Sequence, residues 1–219
     1  MSSQQSHADD AGIAKTLVKS ALQHIPFDGW TMSAVQMAAD EQALTDADID
    51  RLLPDGVRSA IEIYGQMADD EMVAEFESLS PQPDKIHLKI RALILIRLEQ
   101  AAPHKEVVRK TLAYLAKPEQ AKLAAELLYT TVDSMWRAAG DNATDASFYT
   151  KRATLSAVYS ATLLAFLGDD TADMTKTKAF LDRRLSEVAK IPKFTAPLQG
   201  AVRGLGQMVQ SMTGKRRAR

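Results

Sequence analysis

The 219-residue chain contains no cysteine, which excludes disulfides, thiolate metal sites and a cysteine nucleophile. Histidine is almost as scarce. His7, His24, His87 and His104 are far apart, and none forms the i, i+4 pair through which a helix grips zinc. Each reads as a surface or capping residue. There is no Gly-x-Ser-x-Gly and no Gly-x-x-x-x-Gly-Lys, and Gly204-Leu205-Gly206 begins a dinucleotide pattern without its third glycine. Asp40-Glu41 and Asp69-Asp70-Glu71 have no histidine or arginine near them in sequence and read as solvated helix faces. Neither catalysis nor a metal or organic cofactor is expected. Long apolar runs are missing too: the longest uncharged stretch, Ala153–Gly168, falls short of the roughly 20 residues a membrane span needs. The opening MSSQQSHADD lacks the basic and apolar regions of a signal peptide and the arginines of a transit peptide, so a cytoplasmic protein is expected.

What is present is helical. With 46% hydrophobic and 25% charged residues the composition is globular, and apolar residues recur at three- and four-residue spacing almost throughout. Residues 1–10 are expected to be disordered. Ile13, Leu17, Val18, Ala21 and Leu22 then mark a helix near 11–24, broken by Ile25-Pro26-Phe27-Asp28-Gly29-Trp30. Thr31 or Ser33 can cap a second helix, and Thr45 with Asp48 resembles a capping box opening a short third one before Pro54-Asp55-Gly56. Residues 11–56 therefore form a three-helix, helix-turn-helix-like unit. A helical body at 57–190 follows, with helices near 57–78, 86–98, 104–116, 119–139, 146–167 and 171–190 separated by proline- and glycine-bearing breaks. The segment Ile86–Leu98 is apolar on most faces and marks a central helix. Residues 191–196 are a linker to a last helix at 197–213, and 214–219 form a basic tail. The expected fold is all-α with about ten helices, and its layout looks like that of TetR-type regulators.

The formal net charge of −1 conceals a partition. Residues 26–80 carry thirteen acids and only Arg51 and Arg58, whereas residues 190–219 carry seven bases and no acid. A helix-turn-helix unit that reads DNA places its third helix in the major groove and neutralises phosphates with bases. Here Arg51 is the one base in 26–57, against Asp28, Asp40, Glu41, Asp46, Asp48, Asp50 and Asp55. The shape suggests DNA and the charge rejects it, so no nucleic-acid partner is expected.

The tail has the opposite character. Leu198, Val202, Leu205, Val209 and Met212 are spaced 4, 3, 4 and 3, which makes one apolar stripe along an amphipathic helix. Lys215, Arg216 and Arg217 follow it. Such a helix can dock on the body or on a partner subunit, or it can lie in a membrane interface with its bases against anionic headgroups. Gly200, Gly204 and Gly206 weaken it in water by about 1 kcal/mol each and favour a segment ordered by the surface it binds.

One further stretch carries a resemblance. Val132-Asp133-Ser134-Met135-Trp136, Gly140-Asp141-Asn142-Ala143-Thr144-Asp145 and Phe148-Tyr149-Thr150-Lys151-Arg152 together resemble the central pattern of the ubiquinone-biosynthesis accessory proteins of the Coq-nine family. The similarity extends over roughly residues 11–215, including Ile25–Thr31 and Arg183–Val188. A bacterial member of that family would have a TetR-like fold without DNA binding, form a homodimer and hold an isoprenoid or quinone lipid. The resemblance also implies attachment to the inner face of the cytoplasmic membrane and docking of the di-iron demethoxyubiquinone hydroxylase. It places Met135, Trp136, Gly140, Asp141, Asp145, Phe148, Tyr149 and Arg152 in the docking patch and its support. Phe148 departs from the usual Trp, which keeps the aromatic character but removes the indole N–H. The lipid-lining residues are not legible at this stage; the helices at 86–98 and 153–167 are the apolar candidates.

Overall fold

A computed structural model describes residues 2–141 and 146–190, with side chains from Asp9 and, after the break, from Ser147 onward. The described residues form ten α-helices and no strand: α1 (Ser2–Ala21), α2 (Ile25–Asp28), α3 (Met32–Glu41), α4 (Asp46–Leu52), α5 (Val57–Ser78), α6 (Ile86–Ala101), α7 (Lys105–Leu115), α8 (Ala121–Ala138), α9 (Ala146–Leu167) and α10 (Thr175–Lys190). Pro103 and Pro118 sit in short 3-10 turns before α7 and α8, where a residue without an N–H interrupts the ladder least.

Two expectations need correction. Helix α1 is continuous from Ser2, so the disorder expected over residues 1–10 is not found from that residue on. Ile25–Asp28 is a single helical turn rather than a break, with Pro26 at its start and Gly29 ending it at a φ of 68°. Proline is tolerated in a first turn because the N–H it lacks would have no intrahelical partner there. The linker at 191–196, the helix at 197–213 and the tail at 214–219 lie outside the described residues.

The front helices are fixed by their caps. The Thr31 hydroxyl accepts the Ala34 N–H at 3.2 Å. Thr45 and Asp48 exchange both bonds of a capping box, at 3.3 and 3.0 Å, as their spacing predicts. Leu17, Val18, Ile25, Ala34, Val35, Ile49 and Leu53 are almost completely buried in one core with Ala60 and Ile61 of α5, Val107 of α7 and Leu123 of α8. Each large side chain so buried contributes about 1.5–3 kcal/mol. The three-helix front is therefore continuous with the body, and residues 1–182 form one compact unit.

Within that unit α5 packs on α1, α6 and α8, while α9 lies on α8 and α6. Leu93, Ile94 and Leu98 of α6 are fully buried, which makes α6 the central helix its composition predicts. A second unit begins at Arg183. Its described part is the end of α10, where Arg184 donates to Glu187 at 2.7 Å.

Candidate functional site

A cavity of about 450 Å³ opens among α5, α6, α7, α8 and α9. Its wall is mostly aliphatic: Ile61, Leu98, Val108, Leu112, Leu115, Leu127, Leu128, Leu163 and Leu164. The volume lies in the range of small-molecule sites, which are concave, apolar and marked by a few polar groups. The helices at 86–98 and 153–167 do supply part of the lining, through Arg97, Leu98, Tyr159, Ser160, Leu163 and Leu164. The contribution of α7 and α8 is not legible from periodicity, because both read as ordinary amphipathic helices whose apolar stripes could equally close on solid core.

Part of the cavity lining is polar, Arg97 and Thr131 included. Arg97 donates from Nε to Asp69 Oδ1 at 3.4 Å, and the Thr131 hydroxyl donates to the same carboxylate at 2.9–3.0 Å. Asp69 is buried, at 2% exposure, which overturns its reading as part of a solvated face. Its partner comes from 28 residues away, beyond the reach of local sequence reading. Burial pushes the Asp69 carboxyl up, while the Arg97 charge and the Thr131 hydrogen bond hold it down. Trp30, at the end of α2, closes the neighbouring wall: its indole N–H donates to Thr111 at 2.9 Å and its ring tilts against Tyr64 at 5.7 Å.

A second, larger cleft of about 590 Å³ is bounded by Glu99, Lys105, Asp169, Asp170 and Lys178. Both of its lysines are engaged. Lys178 pairs with Glu99 at 3.2 Å, and Lys105 donates to the Asp169 carbonyl at 2.5 Å. It has the chemistry of a solvated groove rather than of an apolar ligand site.

The α8–α9 junction holds the sequence-marked aromatics. Gly140 has a φ of 87°; its N–H reaches the Arg137 carbonyl and the Asp141 N–H reaches that of Trp136, both at 2.9 Å. This is a Schellman ending, which a Cβ at Gly140 would strain. Met135 is fully buried. Arg152, at 4% exposure, donates to Asp133 at 2.6 Å, reaches Asp141 at 3.5 Å and lies 3.4 Å over the Phe148 ring. Lys151 pairs with Asp141 at 2.6 Å and Arg137 with Asp133 at 2.7 Å. Lys151 also stands 5.5 Å over the Trp136 ring, whose buried Nε1 has no hydrogen-bond partner among the described residues.

The structure thus divides the sequence-marked residues by layer. Met135 and Arg152 are buried, the Asp141 side chain is almost covered, and the three hold the junction with Asp133, Arg137 and Lys151 as partners. Tyr149 is 74% exposed and packs edge-on to Phe148 at 5.1 Å. Phe148 serves as the platform for the Arg152 guanidinium. Asp145 lies outside the described residues, as do Leu198, Val202, Leu205, Val209, Met212, Lys215, Arg216 and Arg217. Among the described residues no helix is long and apolar enough to cross a membrane, and no group of three or more histidines and carboxylates converges.

On the front unit, Arg51 is engaged by two acids, Asp10 and Asp48, the latter at 3.0 Å. Asp46 and Asp50 of α4 remain exposed beside it. The one base of residues 26–57 therefore has its charge compensated before any polyanion approaches.

A family model described as COQ9 matches residues 121–192, from the start of α8 to just beyond α10. The chain is 27% identical to "Ubiquinone biosynthesis protein COQ9, mitochondrial" of Rattus norvegicus, over 96% of this chain and 72% of the relative. It is 26% identical to the protein of that name in Homo sapiens, over 96% and 70%, and 26% identical to that in Drosophila melanogaster, over 88% and 62%. Among solved structures, the TetR transcriptional regulator from Nitrosomonas europaea superposes with a TM-score of 0.64 at 21% identity, over 81% of this chain and 98% of that one. The fold is all-α and TetR-like.

Proposed function

We propose that the chain is a member of the COQ9 family, to whose ubiquinone biosynthesis proteins it is similar over most of its length, and that it is a non-catalytic lipid-binding accessory protein of that biosynthesis. It binds an isoprenoid or quinone precursor and presents it to the demethoxyubiquinone hydroxylase at the membrane. The observation that carries this reading is the aliphatic cavity of about 450 Å³ inside the body. Moving an isoprenoid chain from bilayer to water costs about 0.8 kcal/mol per exposed CH₂, and a wall of leucine and isoleucine removes much of that cost.

In this scheme residues 197–213 lie in the interface of the inner face of the cytoplasmic membrane, with the following bases on anionic headgroups. The α8–α9 junction docks the hydroxylase through Tyr149 and its surroundings, since exposed aromatics on a rigid base are typical anchors of interfaces. The protein works as a homodimer, takes no metal or organic cofactor and binds no nucleic acid. Extraction of the purified protein into organic solvent, followed by mass spectrometry, is the decisive test. A prenylated or otherwise long-chain lipid near one per chain is expected, and recovery of none would sink the proposal.

A second reading, a transcriptional regulator with a ligand cavity, is favoured by the TetR-like fold. The compensated Arg51 and exposed Asp46 and Asp50 oppose it, because nothing on that surface replaces phosphate counterions. Specific retardation of DNA at physiological salt would restore it.

A further inference from the structure

The single turn of α2 leaves one aromatic outside the core. Ile25 at its start is fully buried, and Trp30 just past its end is 5% exposed and bonded to Thr111 at 2.9 Å. Pro26 and Gly29 bound the same turn and restrict its backbone. Between these fixed points Phe27 stands 84% exposed, the highest value for any large hydrophobic side chain among the described residues. The core does not require a phenylalanine there, because Ile25 and Trp30 already anchor the turn.

Met32, at the start of α3, is exposed as well. It is five residues from Phe27, a span of at most about 18 Å. Its sulfur lies against Gly56, where a Cβ would come within 3.1 Å of it. Gly56 follows Asp55 in the turn between α4 and α5, so Met32 brings the exposed apolar pair to that acid. Asp28 adjoins Phe27 on the other side. Both carboxylates are exposed, and neither has an ion-pair partner among the described residues. Arg58 lies within electrostatic range of Asp55 but is engaged by Glu62 at 2.9 Å and Glu126 at 3.2 Å.

Acids left without counter-ions repel one another and work against the compact state. A bare aromatic on a fixed backbone does nothing for folding either, but it loses little conformational freedom when a partner covers it. The two features together describe an interface anchor whose missing charge comes from the other side. We propose that Phe27 and Met32, edged by Asp28 and Asp55, dock a basic segment of another protein, one that offers an apolar pocket flanked by lysine or arginine. The proposal is independent of the lipid-binding reading and uses no residue of the α8–α9 junction.

Charge selects this occupant over the others. Nucleic acid and an anionic bilayer are repelled by the same acids, which Asp46 and Asp50 reinforce. A second copy meeting this face across a twofold axis sets Asp28 and Asp55 against their own equivalents. A neutral apolar partner covers the ring but strips water from the acids without replacing it. A basic partner does both.

The test places p-benzoylphenylalanine at position 27 of the full chain in its native cell, where irradiation links it to whatever covers that position. Mass spectrometry of the adduct should return one protein segment of net positive charge that contains aliphatic or aromatic residues. The same probe at Tyr129, also exposed, should not return it. That segment, synthesised and titrated against the full chain, should bind about tenfold more weakly to Phe27→Ala. Asp28→Asn/Asp55→Asn should weaken it severalfold and flatten its salt dependence. Urea midpoints should match the native chain, because all three side chains are exposed. An adduct to lipid, nucleic acid or a second copy would overturn the proposal. So would a neutral or acidic segment, no adduct at all, or a peptide whose affinity is indifferent to Phe27.

Discussion

Tyr149 and Arg152 sit three residues apart on one helix and differ in kind. The Tyr149 ring is largely in solvent and supports only Phe148, so Tyr149→Ala removes surface and little else. Arg152 is buried between Asp133, Asp141 and Phe148. Its loss leaves Asp133 and Asp141 with only the more exposed Arg137 and Lys151 as counter-ions, and breaking a buried ion pair from one side costs up to about 3–5 kcal/mol. Tyr149→Ala should therefore weaken capture of the hydroxylase at least tenfold with an unchanged urea midpoint. Arg152→Ala should lower that midpoint by itself. If the two variants proved equally stable, Arg152 would not be the brace described here. Sequence reading placed both residues in one region but could not separate their layers, because Asp133 and Arg137 meet the junction only through the turn that Gly140 makes. Asp69 was misread for a related reason: its partner Arg97 lies on another helix.

At the scale of elements, helix ends are where the sequence speaks most directly. The Thr45–Asp48 box is legible because both partners lie within one turn, whereas α2 is not, being a single turn dominated by proline and glycine signals. The box also sets an acid sensitivity. Hydrogen bonds from the Thr45 side chain and backbone, followed by the nearby Arg51, hold the Asp48 carboxyl down at about 2. A depressed carboxylate stabilises the fold above its ordinary value of 3.8, and that contribution is lost as pH falls toward 2. Amide protection in α4 should decline across that window in the native chain and stay flat in Asp48→Asn; parallel declines would assign the effect elsewhere.

The end of α8 offers a second test on an element. A Cβ at Gly140 would meet nothing within 4 Å, so crowding cannot oppose Gly140→Ala. The cost is conformational alone, about 1–2 kcal/mol for a non-glycine residue in the left-handed region. Denaturant unfolding should show a loss of that size. No loss would mean that the turn relaxes to negative φ.

For the molecule as a whole, the partition of charge decides between surfaces. The acid-rich front carries the shape of a DNA reader with the one base of residues 26–57 neutralised, and the base-rich end has no acid from residue 190 onward. Flotation with vesicles containing anionic lipid should succeed for the full chain, weaken as salt rises, and fail when residues 197–219 are deleted. Flotation that survives the deletion would remove the tail from the account. The all-α class and most helix spans were open to sequence reading because 3.6-residue periodicity is a local property. The cavity was not, because a void is defined by five helices that fail to fill the space between them.

Helix α9 carries Phe148, Tyr149 and Arg152 near its start and Tyr159, Ser160, Leu163 and Leu164 toward its end. At about 1.5 Å per residue, Tyr149 and Leu164 are roughly 22 Å apart along one uninterrupted rod. A rod held at one end by a buried ion-pair brace has little freedom to adjust at the other, so the proposed docking surface and the cavity wall are expected to move as one. Any factor by which a filled cavity tightens hydroxylase binding must then equal the factor by which the hydroxylase tightens ligand binding, because both are one interaction free energy measured from opposite ends. Affinities measured around that closed cycle with decylbenzoquinone should return the same factor in both directions, and a factor of one in both would mean that α9 transmits nothing.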